Sequence, residues 1–272
     1  MTRPAPTGAT FSGGVHTAWL AEDRVLEICL DAPKGNVLGS AMMVEIQRVL
    51  ADAADKTGLH AVLLRAAGRH FSFGASVEEH RRGQVEAMLA NFHQLIRQVA
   101  NFPVPVVALV QGRCLGGAFE LALACHDVLA TDDAIFACPE IKLGVFPPVL
   151  AAIGPSRLGA ALSERLLLTG SELSASQARA CGWVGGHLKP ESVTAIRDQG
   201  LAWYGAHLGD ISAFALRQAV QASRRGSNLT RQLGVVLDDL ERRYLKDVVT
   251  SHDGNEGIEA FVARRKPMWT DA

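Results

Sequence analysis

No apolar run in this 272-residue chain approaches the ~18–20 residues that a membrane span requires. The N-terminal stretch MTRPAPTGATFSGG lacks the apolar segment of a secretory signal, and residues 1–18 read as a flexible tail. Cysteine is sparse and odd in number. Cys29, Cys114, Cys125, Cys138 and Cys181 form no CxxC pair and no His/Cys ligand spacing, so neither a structural zinc nor any other metal is expected. Cysteines in apolar surroundings behave as small hydrophobes, which suits a reducing, cytoplasmic compartment. An excess of charge is missing too: 27 Lys and Arg stand against 28 Asp and Glu, a net charge of −1. Nucleic acid, which calls for a basic domain, is therefore not the expected partner. With 48% hydrophobic and 20% charged residues, the chain is not a disordered polymer. No linker rich in Pro, Gly or Ser divides it, and no residue period repeats.

Glycine, in contrast, is plentiful: 26 residues, roughly a tenth against a ~7% average, which implies tight turns and close backbone approaches. The first half alternates short apolar strands (24–30, 60–66, 106–110) with amphipathic helices (40–54, capped at Ser40, and 85–99). A glycine pair opens an apolar helix reaching Cys125, and short strands follow at 128–130 and 134–137. Beyond them the pattern is helical over 163–169, 174–181, 211–224 and 229–245. A strand-and-helix body with a helical tail is α/β architecture, the tail either covering the core or building an oligomer.

Four segments could carry chemistry. In Cys114–Cys125, Glu120 is the only charge, and its helical neighbours Gly116, Gly117, Leu123 and Ala124 are apolar or glycine. Desolvation would lift its pKa toward the range of proton transfer, yet a Glu snorkelling to the helix edge or paired with an Arg fits the periodicity equally well. Gly116-Gly117 leaves free N–H groups at the positive end of a helix, an oxyanion site or a plain strand-to-helix turn. Glu140, between Pro139 and Ile141, could share acid and base work with Glu120; on its own it reads as a solvated loop residue near Lys142. In His70–His80, Gly74-Ala75 is another turn with an exposed N–H, while Glu78, Glu79 and His80 read as the charged first turn of a helix rather than a metal site. Arg264-Arg265-Lys266 reads as a solvated helix end or a phosphate contact.

Taken in order, Phe71-Ser72-Phe73-Gly74-Ala75, Gly112 through Glu120, Pro139-Glu140-Ile141 and Phe261 through Pro267 resemble the crotonase (enoyl-CoA hydratase/isomerase) superfamily over residues 24–269. The resemblance implies a spiral of ββα units over 19–205 and a helical C-terminal region, 206–272, serving oligomerisation or as a lid. It further implies an acyl-CoA thioester substrate, a homotrimer or homohexamer, and no cofactor beyond the coenzyme A of the substrate. Carried over, the N–H groups of Ala75 and Gly117 match the family's oxyanion hole, and Glu120 and Glu140 match the two glutamates of its hydratases, 20 positions apart (140 − 120 = 20). Substrate contacts are expected from Lys34, Phe73, Gly74, Ser76, Gly116, Phe146, Pro148 and Arg264. For Phe119, core packing is the expected role.

The chain departs from the family pattern at three places. Ser76 stands where Asp is usual, Glu78 where a CoA-contacting Lys is often found, and Val145–Leu150 replaces a Gly-rich segment. Residues 74–80, Cys114-Leu115-Gly116-Gly117 and residues 139–146 together are similar to hydratases of cyclohexa-1,5-diene-1-carbonyl-CoA. The implied reaction is a 1,4-addition of water giving 6-hydroxycyclohex-1-ene-1-carbonyl-CoA, as in anaerobic benzoyl-CoA breakdown. A hydratase of linear enoyl-CoA and an enoyl-CoA isomerase are the alternatives, and the roles of the two glutamates are exchangeable at this stage.

Overall fold

The computed structural model describes residues 10–189, 192 and 195–272. Among the described residues, ten strands build two sheets. The larger has seven strands: β1 (Thr10–Ser12), β2 (Val15–Leu20), β3 (Val25–Leu30), β4 (Ala61–Ala66), β5 (Val106–Val110), β7 (Asp127–Thr131) and β10 (Gly186–Leu188). The smaller has β6 (Arg113–Leu115), β8 (Ile135–Ala137) and β9 (Leu173–Ser174). From β3 to β10 the larger sheet is parallel. Such a sheet is buried on both faces, which is why β3 is buried at every position although the sequence reads as alternating.

One sheet face carries Leu26, Ile28, Val62, Leu64, Val106 and Ala108 into the main core. The other, with Val25, Leu63, Val107 and Leu129, meets the helix Ala195–His207 through Ile196 and Tyr204. Glu27 lies on this second face, 1% exposed, and accepts hydrogen bonds from Arg65 Nε at 2.7 Å and Arg197 Nε at 2.6 Å. The two guanidinium groups hold its carboxyl below the usual range against the upward push of burial.

The chain advances in repeated strand–strand–helix turns. β4 is followed by the bridge at Ser72 and the helix Val85–Ala100. β5 leads to β6 and the helix Gly117–Ala124. β7 leads to β8, a short 3₁₀ turn Pro139–Leu143 and the helix Pro148–Leu158. Ser72 pairs with Cys114 in β6, and β6 pairs with β8, so the three strand-to-helix crossings lie side by side. Those crossings hold Gly74-Ala75, Gly116-Gly117 and Glu140.

Most sequence-read elements agree with the structure to within a few residues. The tail does not: residues 10–18 belong to β1 and β2, an antiparallel hairpin whose turn uses Gly13 and Gly14 at φ 57° and 79°. Val15 and Ala18 are buried there, so the hairpin is part of the core; residues 1–9 lie outside the described residues. The helix 40–54 is capped by Gly39, and Ser40 instead donates its hydroxyl to Glu79 Oε2 at 2.6 Å. The helical tail covers the core, with Leu229, Leu233, Leu237, Tyr244 and Ile258 in the main cluster. Its path over 229–248 alternates α and π turns, and a further helix runs over His252–Val262.

The helix Gly117–Ala124 ends in the interior, where its last carbonyls need partners. Arg157 donates to Leu123 O at 3.0 Å and Cys125 O at 2.8 Å, and Arg224 donates to Ala124 O at 2.9 Å. Both cations also complement the negative end of the helix. Arg157→Met leaves two carbonyls unsatisfied and is expected to lower the unfolding free energy by about 2–4 kcal/mol. Arg242→Met, at an exposed pair with Asp239, is expected to change it by under ~0.5 kcal/mol. Denaturant titration of both variants checks the contrast.

Candidate active site

Glu120 projects from the helix Gly117–Ala124 into the interior and is 3% exposed. Its Oε1 accepts two hydrogen bonds, from Val149 N at 2.8 Å and Leu150 N at 2.9 Å. These are the first free amides of the helix Pro148–Leu158, since Pro148 has none, and they sit at its positive end. The replaced Gly-rich segment therefore contributes the clamp on Glu120 as well as cavity wall. Burial nevertheless outweighs the two amides and raises the Glu120 pKa to about 7.

Glu140 enters from the 3₁₀ turn behind β8. Part of the residue reaches solvent, but its Oε2 is buried and has no hydrogen-bond partner. Burial first, and then the charge of Glu120, raise its pKa to about 8. Its Oε1 lies where a side chain at Gly116 would stand: a Cβ there would come within 2.7 Å. Gly116 also has φ 52°, so glycine satisfies a backbone demand and a space demand at once. Gly74 has the same double role, with φ 93° and a would-be Cβ 2.5 Å from Leu115 O.

These close approaches bring Ala75 and Gly117 together. A Cβ on Gly117 would lie 3.3 Å from Ala75 N. Neither N–H donates to a protein acceptor among the described residues. Two free amides, one of them the first residue of a helix, form a ready site for an oxyanion.

Two cavities meet here. A small one, about 20 Å³, is lined by Ala75, Gly117, Glu120, Glu140 and Pro148 together with Phe146 and Tyr244. A larger apolar one, about 450 Å³, is walled by Phe73, Val77, Leu115, Val145 and Phe261, with Gly116 at its edge. Ala75, His80 and Glu140 line both. Beyond Phe73, which is 41% exposed, opens a cleft containing Lys34, Arg69 and His70. Asn36 builds this cleft: its Nδ2 donates to Ala67 O, His70 O and Phe71 O at 3.0, 3.2 and 3.1 Å, pinning the Lys34 turn to the neighbouring loop.

Two expected contacts, Ser76 and Arg264, fall elsewhere. Ser76 lines neither cavity, because its hydroxyl turns to Glu78 Oε2 at 3.2 Å. Arg264 sits exposed in the turn after the last helix, at φ 54°, away from both cavities and the Lys34 cleft. Phe119 is core, as read, packed on Phe136 and Trp183 at ring distances of 5.5 and 5.2 Å.

His80 corrects the reading of a solvated helical turn. Glu78–His80 is a 3₁₀ turn, and its three-residue period puts Val77 and His80 on one side, both facing the larger cavity. Its Nδ1–H donates to Ser76 O at 2.7 Å, and burial holds the imidazole below its usual pKa. The ring is thus neutral, with Nε2 as an acceptor. Arg69 and Tyr244 had no sequence signal: the first is a lone loop cation, the second interrupts a helical stripe at a π turn.

Comparison with known proteins shows the family of the chain. The family described as "Enoyl-CoA hydratase/isomerase" matches residues 21–272. The cyclohexa-1,5-dienecarbonyl-CoA hydratase of Thauera aromatica is 37% identical over 254 residues, covering 92% of this chain and 95% of that protein. The 2,3-dehydroadipyl-CoA hydratase of Escherichia coli (strain K12) is 31% identical over 252 residues, covering 90% and 95%. The crystal structure of an enoyl-CoA hydratase from Mycobacterium avium subsp. paratuberculosis K-10 superposes with a TM-score of 0.80 at 27% identity, covering 95% of this chain and 99% of that one. The chain belongs to the enoyl-CoA hydratase/isomerase family, the crotonase superfamily.

Proposed function

We propose that this hydro-lyase adds water to the ring of cyclohexa-1,5-diene-1-carbonyl-CoA, giving 6-hydroxycyclohex-1-ene-1-carbonyl-CoA in benzoyl-CoA degradation. The observation that carries the hydratase reading is the pair of carboxyl groups sharing one cavity with the Ala75 and Gly117 amides. The apolar walls of the adjoining cavity and the Thauera relative support the ring.

The thioester carbonyl accepts hydrogen bonds from Ala75 and Gly117, which stabilise the enolate oxygen as charge moves onto it. Glu120 is the base, because two amide donors favour its ionised form. Glu140 is the acid, because its unpartnered carboxyl beside a negative neighbour retains its proton. Glu120 takes a proton from water as the oxygen bonds to the β carbon. The π electrons move toward the thioester, and Glu140 protonates the far end of the extended enolate. The thioester acidifies the system, so no cofactor enters the scheme. Lys34 and Arg69 bind the coenzyme's phosphates, and Phe73 separates that cleft from the acyl cavity. We read the assembly as a homotrimer or homohexamer, supported by exposed apolar residues Phe214, Val235 and Phe261 on the C-terminal helices.

Offered cyclohexa-1,5-diene-1-carbonyl-CoA and crotonyl-CoA, the protein is expected to hydrate the diene with at least a tenfold higher kcat/KM, followed by mass and ultraviolet absorbance. Preference for crotonyl-CoA would discard the ring substrate and keep the hydratase chemistry.

Glu120→Gln and Glu140→Gln are each expected to lower kcat by about 10²–10⁴-fold with the circular dichroism spectrum retained. The wild-type kcat profile should be bell-shaped, with flanks near about 7 and about 8. Below the lower flank both carboxyls are protonated and the base is lost; above the upper flank both are ionised and the acid is lost.

Replacing Lys34 and Arg69 together by Ala should raise KM about tenfold and leave kcat within about twofold, since phosphate contacts far from the reacting carbons bind ground state and transition state alike.

A further inference from the structure

The small cavity has a polar group that the scheme above does not use. Tyr244 opens the π turn Tyr244–Val248, and the residue is 2% exposed. Its ring packs edge-on against Phe146, at a centroid distance of 5.4 Å and an angle of 62°. Its hydroxyl makes no hydrogen bond to the protein among the described residues. The hydroxyl oxygen is not sealed off like the unpartnered polar atoms of the interior, so it can take its partner from the cavity rather than from the protein. The phenol lines the cavity of about 20 Å³ that also holds Glu120, Glu140 and His80. That volume suits one water molecule, which needs two to four polar partners.

The chain positions this residue by ties remote from the cavity. His93 Nδ1 lies 2.5 Å from Glu241 Oε2, and Arg97 pairs with Asp238, joining the helix Leu237–Arg243 to the helix Val85–Ala100. Phe92, the neighbour of His93, lines the same small cavity. The π turn then begins at Tyr244, where the wider turn changes the facing of the residues that follow. Burial, and the charges of Glu140 and Glu120, keep the phenol protonated throughout the working pH range. It is therefore a permanent donor.

We propose that Tyr244 is a further catalytic residue, whose O–H donates a hydrogen bond to the oxygen of the water being added and, afterwards, to the new hydroxyl of the product. This rests on the hydratase reading. The oxygen's valences then close: one hydrogen goes to Glu120, one lone pair accepts from Tyr244, and the other lone pair attacks carbon. Tyr244 keeps its own proton, so no acid or base is added to the reaction. The hydrogen bond fixes which face of the β carbon the oxygen approaches, and in the reverse direction it supports the departing hydroxyl.

The test is Tyr244→Phe, which keeps the ring on Phe146. Three quantities are measured in wild type and variant: kcat and KM for the dienoyl thioester, the affinity for the hydroxylated product, and the affinity for cyclohexane-1-carbonyl-CoA, a saturated thioester with no hydroxyl. The expected result is a fall in kcat of about 10²-fold with KM within about twofold. Product affinity should weaken about five- to tenfold, while affinity for the saturated thioester stays unchanged. Equal weakening for both ligands would mean that Tyr244 only shapes the wall, and would overturn the inference. So would a variant indistinguishable from wild type. If the wild type adds no water to either the diene or crotonyl-CoA, the hydratase reading itself fails and takes this inference with it.

Discussion

A carboxylate in the middle of an apolar helix needs donors, and Glu120 finds them on another helix. The amides of Val149 and Leu150 clasp one oxygen, leaving the other to the cavity. Much else in the site follows from this clasp. It demands a helix beginning at residue 148, which Pro147 and Pro148 favour by fixing the backbone where no amide is needed. It joins the second and third strand–strand–helix turns across the site. It also breaks the symmetry between the two glutamates, giving one carboxyl two amide donors and leaving an oxygen of the other without a partner.

The second constraint is the side-by-side stacking of the crossings. Ser72 against β6, and β6 against β8, set Ala75, Gly117 and Glu140 in neighbouring rows. Ala75 and Gly117 each stand three residues beyond the paired positions Ser72 and Cys114, and Glu140 stands four beyond Phe136. Gly116 N donates to Ala137 O at 2.7 Å and Leu115 N to Ser72 O at 3.0 Å, so the rows are tied by backbone bonds that any sequence could make. The sequence-specific part is the pair of glycines at 74 and 116, which allow the rows to approach.

This division explains what the sequence reveals. Glu120 is legible because one charge in an apolar helix is conspicuous, and the glycine pair because a strand pattern ends where a helix pattern begins. Glu140 has no such contrast: its neighbours are mixed, and its burial comes from the distant Gly116 and Glu120. His80 reads as a charged helical turn because Glu78 and Glu79 precede it, whereas the 3₁₀ period turns it inward beside Val77. Tyr244 is hidden by the π turn, which breaks the 3.6-residue rhythm on which helical faces are read. Ser76 and Arg264 mislead in the opposite direction. Their places in the family pattern suggest substrate, but local partners or a turn direct them away.

The fit of Glu140 against Gly116 has an implication for how sequences of this kind can diverge. The carboxylate occupies the volume in which a side chain at 116 would begin, so the two positions are coupled by exclusion rather than attraction. A side chain at 116 would have to push the tip of Glu140 aside. A lineage that drops Glu140 gains room beside the Ala75 and Gly117 amides, although φ 52° with ψ −131° at 116 still favours glycine alone. Such a chain would retain the clasped Glu120 and both free amides. On the proposed scheme it would still polarise a thioester and still hold one base, so new chemistry on this scaffold can begin from a working site.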